Sequence, residues 1–306
     1  MVVTQKMGCG LRKVIGLALL WAATVVPVFG TTYMVTVAGL GGEADYEQRF
    51  QLLANDTDKI LKAGGGTDRV VETLKGPDAT KAKIVASLNR IAAQAKPQDV
   101  FVIMMIGHGT FDGTEYKFNL PGPDISGTEL AGLLNRIPAT RQLVVDMTSA
   151  SGGAAAALKK DGRTVITATK SGQEKNATVF ARFWVEALRD PSADADKNEI
   201  VSALEAFHYA QTKTTAFYGD QKRLATEHSQ LEDQQKAAAF PLVRYGSAAA
   251  TITDPAKREL VAKKEDIENK IDALKFEKDL MAPEDYKRQM ATLLLELART
   301  QESIDK

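Results

Sequence analysis

Two short segments carry the side chains best suited to acid–base or covalent chemistry. One ends Ile106-Gly107-His108-Gly109; the other reads Asp146-Met147-Thr148-Ser149-Ala150-Ser151-Gly152, with Ser149 41 positions after His108. An imidazole beside a hydroxyl is the minimum for nucleophilic acyl transfer, because the histidine takes the proton as the serine attacks. A serine hydroxyl is a weak nucleophile, so such a site also wants a carboxylate to orient the histidine. Asp112 is the candidate, provided its loop folds back, and no other orienter stands out. The competing reading makes Thr148, Ser149 and Ser151 small turn residues beneath a helix N-terminus. Backbone N–H groups in such a turn could still bind a carboxylate or a peptide carbonyl.

A second constellation is acidic. Asp194, Asp196, Asn198, Ser202 and Glu205 fall at positions 1, 3, 5, 9 and 12 of an EF-hand calcium loop. Position 6, which normally needs glycine for its sharp turn, is Glu199. Helices are expected on both sides, at 178–188 and 200–217. The alternative is an acidic loop that caps the following helix. His208 and His228 have no partner at zinc-motif spacing, and His208, between Phe207 and Tyr209, reads as a packing residue. The sequence therefore implies no cofactor, with calcium the one metal its spacing allows.

The elements that must position these groups are legible as alternating strands and helices. Unbroken apolar runs predict buried strands near 33–38, 69–73, 100–106, 142–147 and 163–168. Helical periodicity falls between them: 43–62, a helix capped by Asp78 or Thr80, and one opened by the capping box Ser126-Gly-Thr-Glu129. Residues 152–160 and 178–188 read as further helices, residues 110–124 as a site-covering loop or small hairpin, and 239–245 as a late strand at the sheet's edge. This alternation predicts right-handed crossovers, a mostly parallel sheet between helical layers, and ligands at the C-terminal strand ends. Gly39-Leu40-Gly41-Gly42 closes the first strand without the following Lys-Ser/Thr of a phosphate loop, and reads as a strand-to-helix turn.

A strand followed by Gly-His108-Gly, and a next strand ending Ser149-Ala-Ser151-Gly152, resembles the caspase and legumain superfamily of cysteine peptidases. The resemblance spans roughly residues 31–250 and implies a three-layer caspase-like sandwich. It implies His108 as general base or acid and Ser149 at the nucleophile's place, where the family has cysteine. It places Asp146 near the acid that often precedes the nucleophile, and Thr169 to Glu174 where the family builds part of its specificity pocket. His108 and Ser149 are then expected within about 7 Å of each other at adjacent strand ends. A thiol is nucleophilic at neutral pH in a way a hydroxyl is not, so the serine predicts a degenerate site.

Composition sets the surroundings. With 306 residues and 44% hydrophobic content, the chain can bury one sizeable α/β core plus an appendage. Residues 1–30 contain Lys6, Arg12, Lys13 and no acid, and then an apolar run ending Val28-Phe29-Gly30. This reads as a cleaved export signal, with an N-terminal membrane anchor as the alternative, and places the protein in the periplasm or outside the cell. After cleavage no membrane contact is implied. The one cysteine, Cys9, lies in that segment, so the remainder has neither thiol nor disulfide. Removing those three cations from the 39 leaves 36 basic against 39 acidic residues, a balance that excludes nucleic acid as an evident partner.

From Asp254 onward the composition turns to Lys, Glu, Leu and Ala, and Leu260, Ile267, Leu274 and Met281 recur every seven residues. Met290, Leu297 and Ile304 repeat likewise after Ala282-Pro283. Residues 254–306 thus predict an antiparallel helical hairpin, with arms near 255–281 and 284–304, able to self-associate. Three functions remain open from the sequence: a pseudopeptidase that binds peptide or protein without cutting, a hydrolase using Ser149 with His108, and a structural module acting through the hairpin.

Overall fold

The computed structural model describes residues 1, 30–64, 68–245, 254–276, 278 and 281–305. The expected export signal lies almost wholly outside them. In chain order the α/β part begins with β1 (Thr32–Ala38), α1 (Ala44–Ala63), β2 (Arg69–Leu74), α2 (Lys81–Gln94) and β3 (Val100–Ile106). A small meander follows: β4 (Gly109–Phe111), β5 (Tyr116–Phe118) and β6 (Ile125–Ser126). Next come α3 (Gly127–Leu134), β7 (Arg141–Asp146), α4 (Ala155–Leu158), β8 (Arg163–Thr167) and α5 (Phe180–Ala187). The remainder is β9 (Ile200–Ser202), α6 (Ala203–Asp220), β10 (Gln230–Leu231), α7 (Gln234–Ala238) and β11 (Pro241–Arg244). Two long helices close the chain, α8 (Pro255–Phe276) and α9 (Pro283–Asp305).

The main sheet has the order β10-β8-β7-β3-β1-β2, parallel throughout except for β10 at its edge. Its central strands read as continuous apolar runs because both faces are covered. Val102, Met104 and Ile106 of β3 pack with Phe50 of α1, Trp184 of α5 and Phe207 of α6. Phe101, Ile103 and Met105 point the other way, to Leu88 of α2, Leu134 of α3 and Leu158 of α4. The result is the three-layer α/β sandwich with a mostly parallel sheet that the alternation of runs predicts.

Local signals hold at several ends. Thr80, not Asp78, caps α2 by accepting from Lys83 N, and Ser126 and Glu129 close a reciprocal capping box at α3. Two expectations are corrected. The late strand β11 does not join the main sheet: it pairs antiparallel with β9, and the short β10 takes the sheet's edge. The helix expected from residue 200 starts at Ala203, because Ile200–Ser202 is drawn into that pairing. At 110–124 the hairpin alternative holds: β4 and β5 form it, and β6 extends it to a three-stranded antiparallel meander.

The last two helices form the expected antiparallel hairpin, with Pro283 opening the second arm. Lys263 early in α8 meets Glu296 late in α9 at 3.2 Å. The first arm is described as Pro255–Phe276, and residues 277, 279 and 280, within the expected span to 281, lie outside the described residues. Val261, Ile267, Ile271 and Leu274 are buried, and Arg244 of β11 pairs with Glu268 of α8 at 2.8 Å, tying the hairpin to the α/β body. No described helix is long and apolar enough to cross a membrane.

Candidate functional site

Strands β3 and β7 are neighbours in a register that pairs Met104 with Val145 and Met105 with Asp146. That offset is 41, the same as between His108 and Ser149, so the two residues leave adjacent strands at matching positions. The loops are then fastened together. Ser149 Oγ accepts from Gly109 N at 3.1 Å and donates to Gly109 O at 3.2 Å. Ser149 is 2% exposed. A hydroxyl has one proton, and here it is directed at the Gly109 carbonyl rather than at an imidazole.

His108 is half-buried among aromatic rings. Tyr46 and Phe50 of α1 stand edge-on to it, with ring centroids 4.8 and 5.0 Å away. Burial pulls its pKa below the usual histidine value, partly offset by a hydrogen bond to the Gly41 backbone and by the charge of Glu43. The imidazole is therefore neutral at neutral pH and held by a backbone group and hydrophobic walls. Asp112 does not orient it. That carboxylate is exposed and accepts from Thr114 N and Glu115 N, capping the turn between β4 and β5. An aspartate two residues before an amide closes such a turn on its own, and this local bond outcompetes a distant imidazole.

Beneath Ser149 lies a sealed polar cluster. Asp146 Oδ1 accepts from Thr148 Oγ1 at 2.7 Å, Thr148 N at 3.2 Å and Tyr116 OH at 3.2 Å, and Tyr116 OH lies 2.6 Å from Thr148 Oγ1. Asp146 is fully buried, and its Oδ2 has no hydrogen-bond partner. Desolvation pushes its pKa up to about 6, against the pull of the Thr148 and Tyr116 bonds. The acid placed near the nucleophile by the resemblance thus braces the turn from below. Tyr116 was not evident from sequence, since nothing local ties it to a residue thirty positions away.

The other flank is built by the loop after β8. Ser151 Oγ accepts from Thr169 N at 3.1 Å, and Thr169 Oγ1 accepts from Gly152 N at 2.9 Å, so the two loops are stitched together. Glu174 adds its backbone: its carbonyl accepts from Ala150 N at 2.7 Å. The Glu174 side chain accepts from Lys170 N and His228 N and meets His228 Nδ1 at 2.5 Å. Burial would raise the Glu174 pKa, but these donors take it below the usual range. His228, set aside in the sequence as a poor metal ligand, is therefore part of the rim, 54 positions from its carboxylate. Phe111 of β4 fills a cradle over Gly153 and Gly172, and Gly107, at a φ of 153°, stands against Phe118 and Gly39.

The acidic loop folds compactly. One carboxylate oxygen from each of Asp194, Asp196 and Glu205 lies within 4.8 Å of the others. Asp194 accepts from Asn198 N and Glu199 N, Asn198 Oδ1 from Ile200 N, and Ser202 and Glu205 form a capping box at α6. Glu199 has a φ of 66°, so it makes the turn that position 6 requires without being glycine. Burial, and then the charges of Glu205 and Asp194, raise the Asp196 pKa.

No family model matches the sequence, and no curated protein matches it. Among solved structures, the fold is similar to a structural-genomics protein from Geobacter sulfurreducens, at 12% identity and a TM-score of 0.45, over 72% of this chain and 100% of that one. It is also similar to the Drosophila initiator caspase Dronc, at 10% identity and a TM-score of 0.40, over 67% of this chain and 79% of that one.

Proposed function

We propose that this is an exported caspase- or legumain-like pseudopeptidase, which binds a peptide or protein segment at the His108–Ser149 strand ends and leaves it uncut. The observation that carries the reading is the pair of hydrogen bonds that holds Ser149 Oγ to the Gly109 backbone, while the His108 imidazole is held by the Gly41 backbone and the rings of Tyr46 and Phe50. Attack by Ser149 would require breaking its bond to Gly109 O, turning its proton to His108, and stabilising an imidazolium that burial disfavours. Each step adds to the barrier. The strand order and the matched offset favour a peptidase-like ancestor of the site over an unrelated α/β module.

The test is chemical. A serine-directed fluorophosphonate should leave the protein unlabelled under conditions that label an active serine hydrolase fully. Stoichiometric labelling that Ser149→Ala abolishes would establish the hydrolase reading instead. Peptides from a random library should be retained by the immobilised protein, and Gly152→Val, which would drive a side chain into the Lys170–Ser171 backbone, should release them.

For the 194–205 loop we propose calcium as a separate ligand, on the strength of three converging carboxylates and the glycine-like turn at Glu199. Isothermal titration should detect binding with a dissociation constant on the order of a millimolar or tighter, as extracellular modules show. Asp194→Ala should remove the heat. Absence of heat from the parent leaves the carboxylates as helix and turn caps.

A further inference from the structure

The outward face of α9 carries a stripe that is complementary to itself. Lys287, Ala291, Leu294, Leu295, Ala298 and Glu302 are all exposed, and their spacing keeps them along one side of a helix. Leu294 and Leu295 remain 49% and 53% exposed. The stripe is also symmetric. Lys287 and Glu302 are equidistant from the Leu294–Leu295 peptide bond, and so are Ala291 and Ala298.

From this we infer that α9 packs antiparallel against α9 of a second copy, about a two-fold axis through the Leu294–Leu295 bond. The axis brings Leu294 onto the partner's Leu295, Ala291 onto the partner's Ala298, and Lys287 onto the partner's Glu302, each contact occurring twice, as an isologous interface requires. The small alanines let the backbones approach, the leucines fill the centre, and the unlike charges sit at the rim, where Lys287 also pairs with Glu284 of its own helix at 2.9 Å. A parallel pairing would instead put Lys287 against Lys287 and Glu302 against Glu302. The sequence alone allowed self-association of 254–306; the structure selects the helix, the face and the direction. The inference is independent of the peptide-site reading.

Twenty-three residues of helix rise about 35 Å, so the interface is long and narrow, at the weak end of specific contacts. Sedimentation equilibrium of the full chain should accordingly show a reversible monomer–dimer mixture at micromolar concentrations. L294E/L295E should be monomeric over the same range, with an unchanged thermal melt, because both side chains are exposed in the single chain. K287E alone and E302K alone should each weaken the dimer about tenfold, since each reversal turns two symmetric attractions into repulsions. K287E/E302K should restore parental affinity, which a merely misfolded variant would not do. A parent that sediments as a monomer at tens of micromolar overturns the inference, as does a dimer indifferent to L294E/L295E.

Discussion

Gly109→Ala should lower the unfolding free energy by about 3 kcal/mol and the melting temperature by roughly 10 °C. The added Cβ would lie 2.4 Å from Ser149 O, 2.4 Å from the Tyr116 ring and 2.8 Å from Thr148 Oγ1. A backbone carbonyl cannot swing aside as a flexible side chain can, so the two loops must part. Parting them stretches both hydrogen bonds between Gly109 and Ser149, leaving buried polar groups short of partners. Gly132→Ala in α3 is the control, because a Cβ there meets nothing within 4 Å. It should be neutral or stabilising by a few tenths of a kcal/mol, as alanine favours helix. Equal melting of the two variants would contradict the account of how the site is held.

Asp146→Asn should stabilise the protein at pH 7 and do little near pH 4. Asp146 is fully buried with one unpartnered oxygen, and its folded pKa, about 6, lies above the unfolded carboxyl value. A carboxyl raised in this way contributes stability that is fully present below its unfolded pKa and lost as pH rises through about 6. A shift of this size corresponds to roughly 2–3 kcal/mol lost between pH 4 and 7. Asparagine keeps the acceptor facing Thr148 and Tyr116 and carries no charge. Denaturant unfolding of parent and variant at pH 4, 5, 6 and 7 isolates the group, because other carboxylates titrate alike in both proteins. A difference that is flat with pH would mean Asp146 is not the titrating group.

How much of this was legible in sequence follows from the range of the forces involved. Strands buried on both faces announce themselves as apolar runs, which is why β3 and β7 stood out. Their register was recoverable too, since the spacing of His108 and Ser149 is the offset between the strands. Capping at Ser126 involves a neighbour three residues away and was equally readable. Contacts made by distant segments were not. Nothing in the sequence links His228 to Glu174, or Tyr116 to Asp146, because both pairs form only after the sheet assembles. Asp112 was misleading for the opposite reason: a short-range turn claimed it first. The partner of β11 was hidden because an edge strand carries no mark of which edge it joins.

The central claim is that this site holds peptide and does not hydrolyse it. Incubating the parent, Ser149→Ala and Ser149→Cys with a diverse peptide library, and reading products by mass spectrometry, tests that claim most directly. The account predicts no cleavage by the parent or by Ser149→Ala, with products from Ser149→Cys if the remaining groups still suit a thiolate. Cleavage by the parent that disappears in Ser149→Ala would contradict it and make this chain a serine hydrolase.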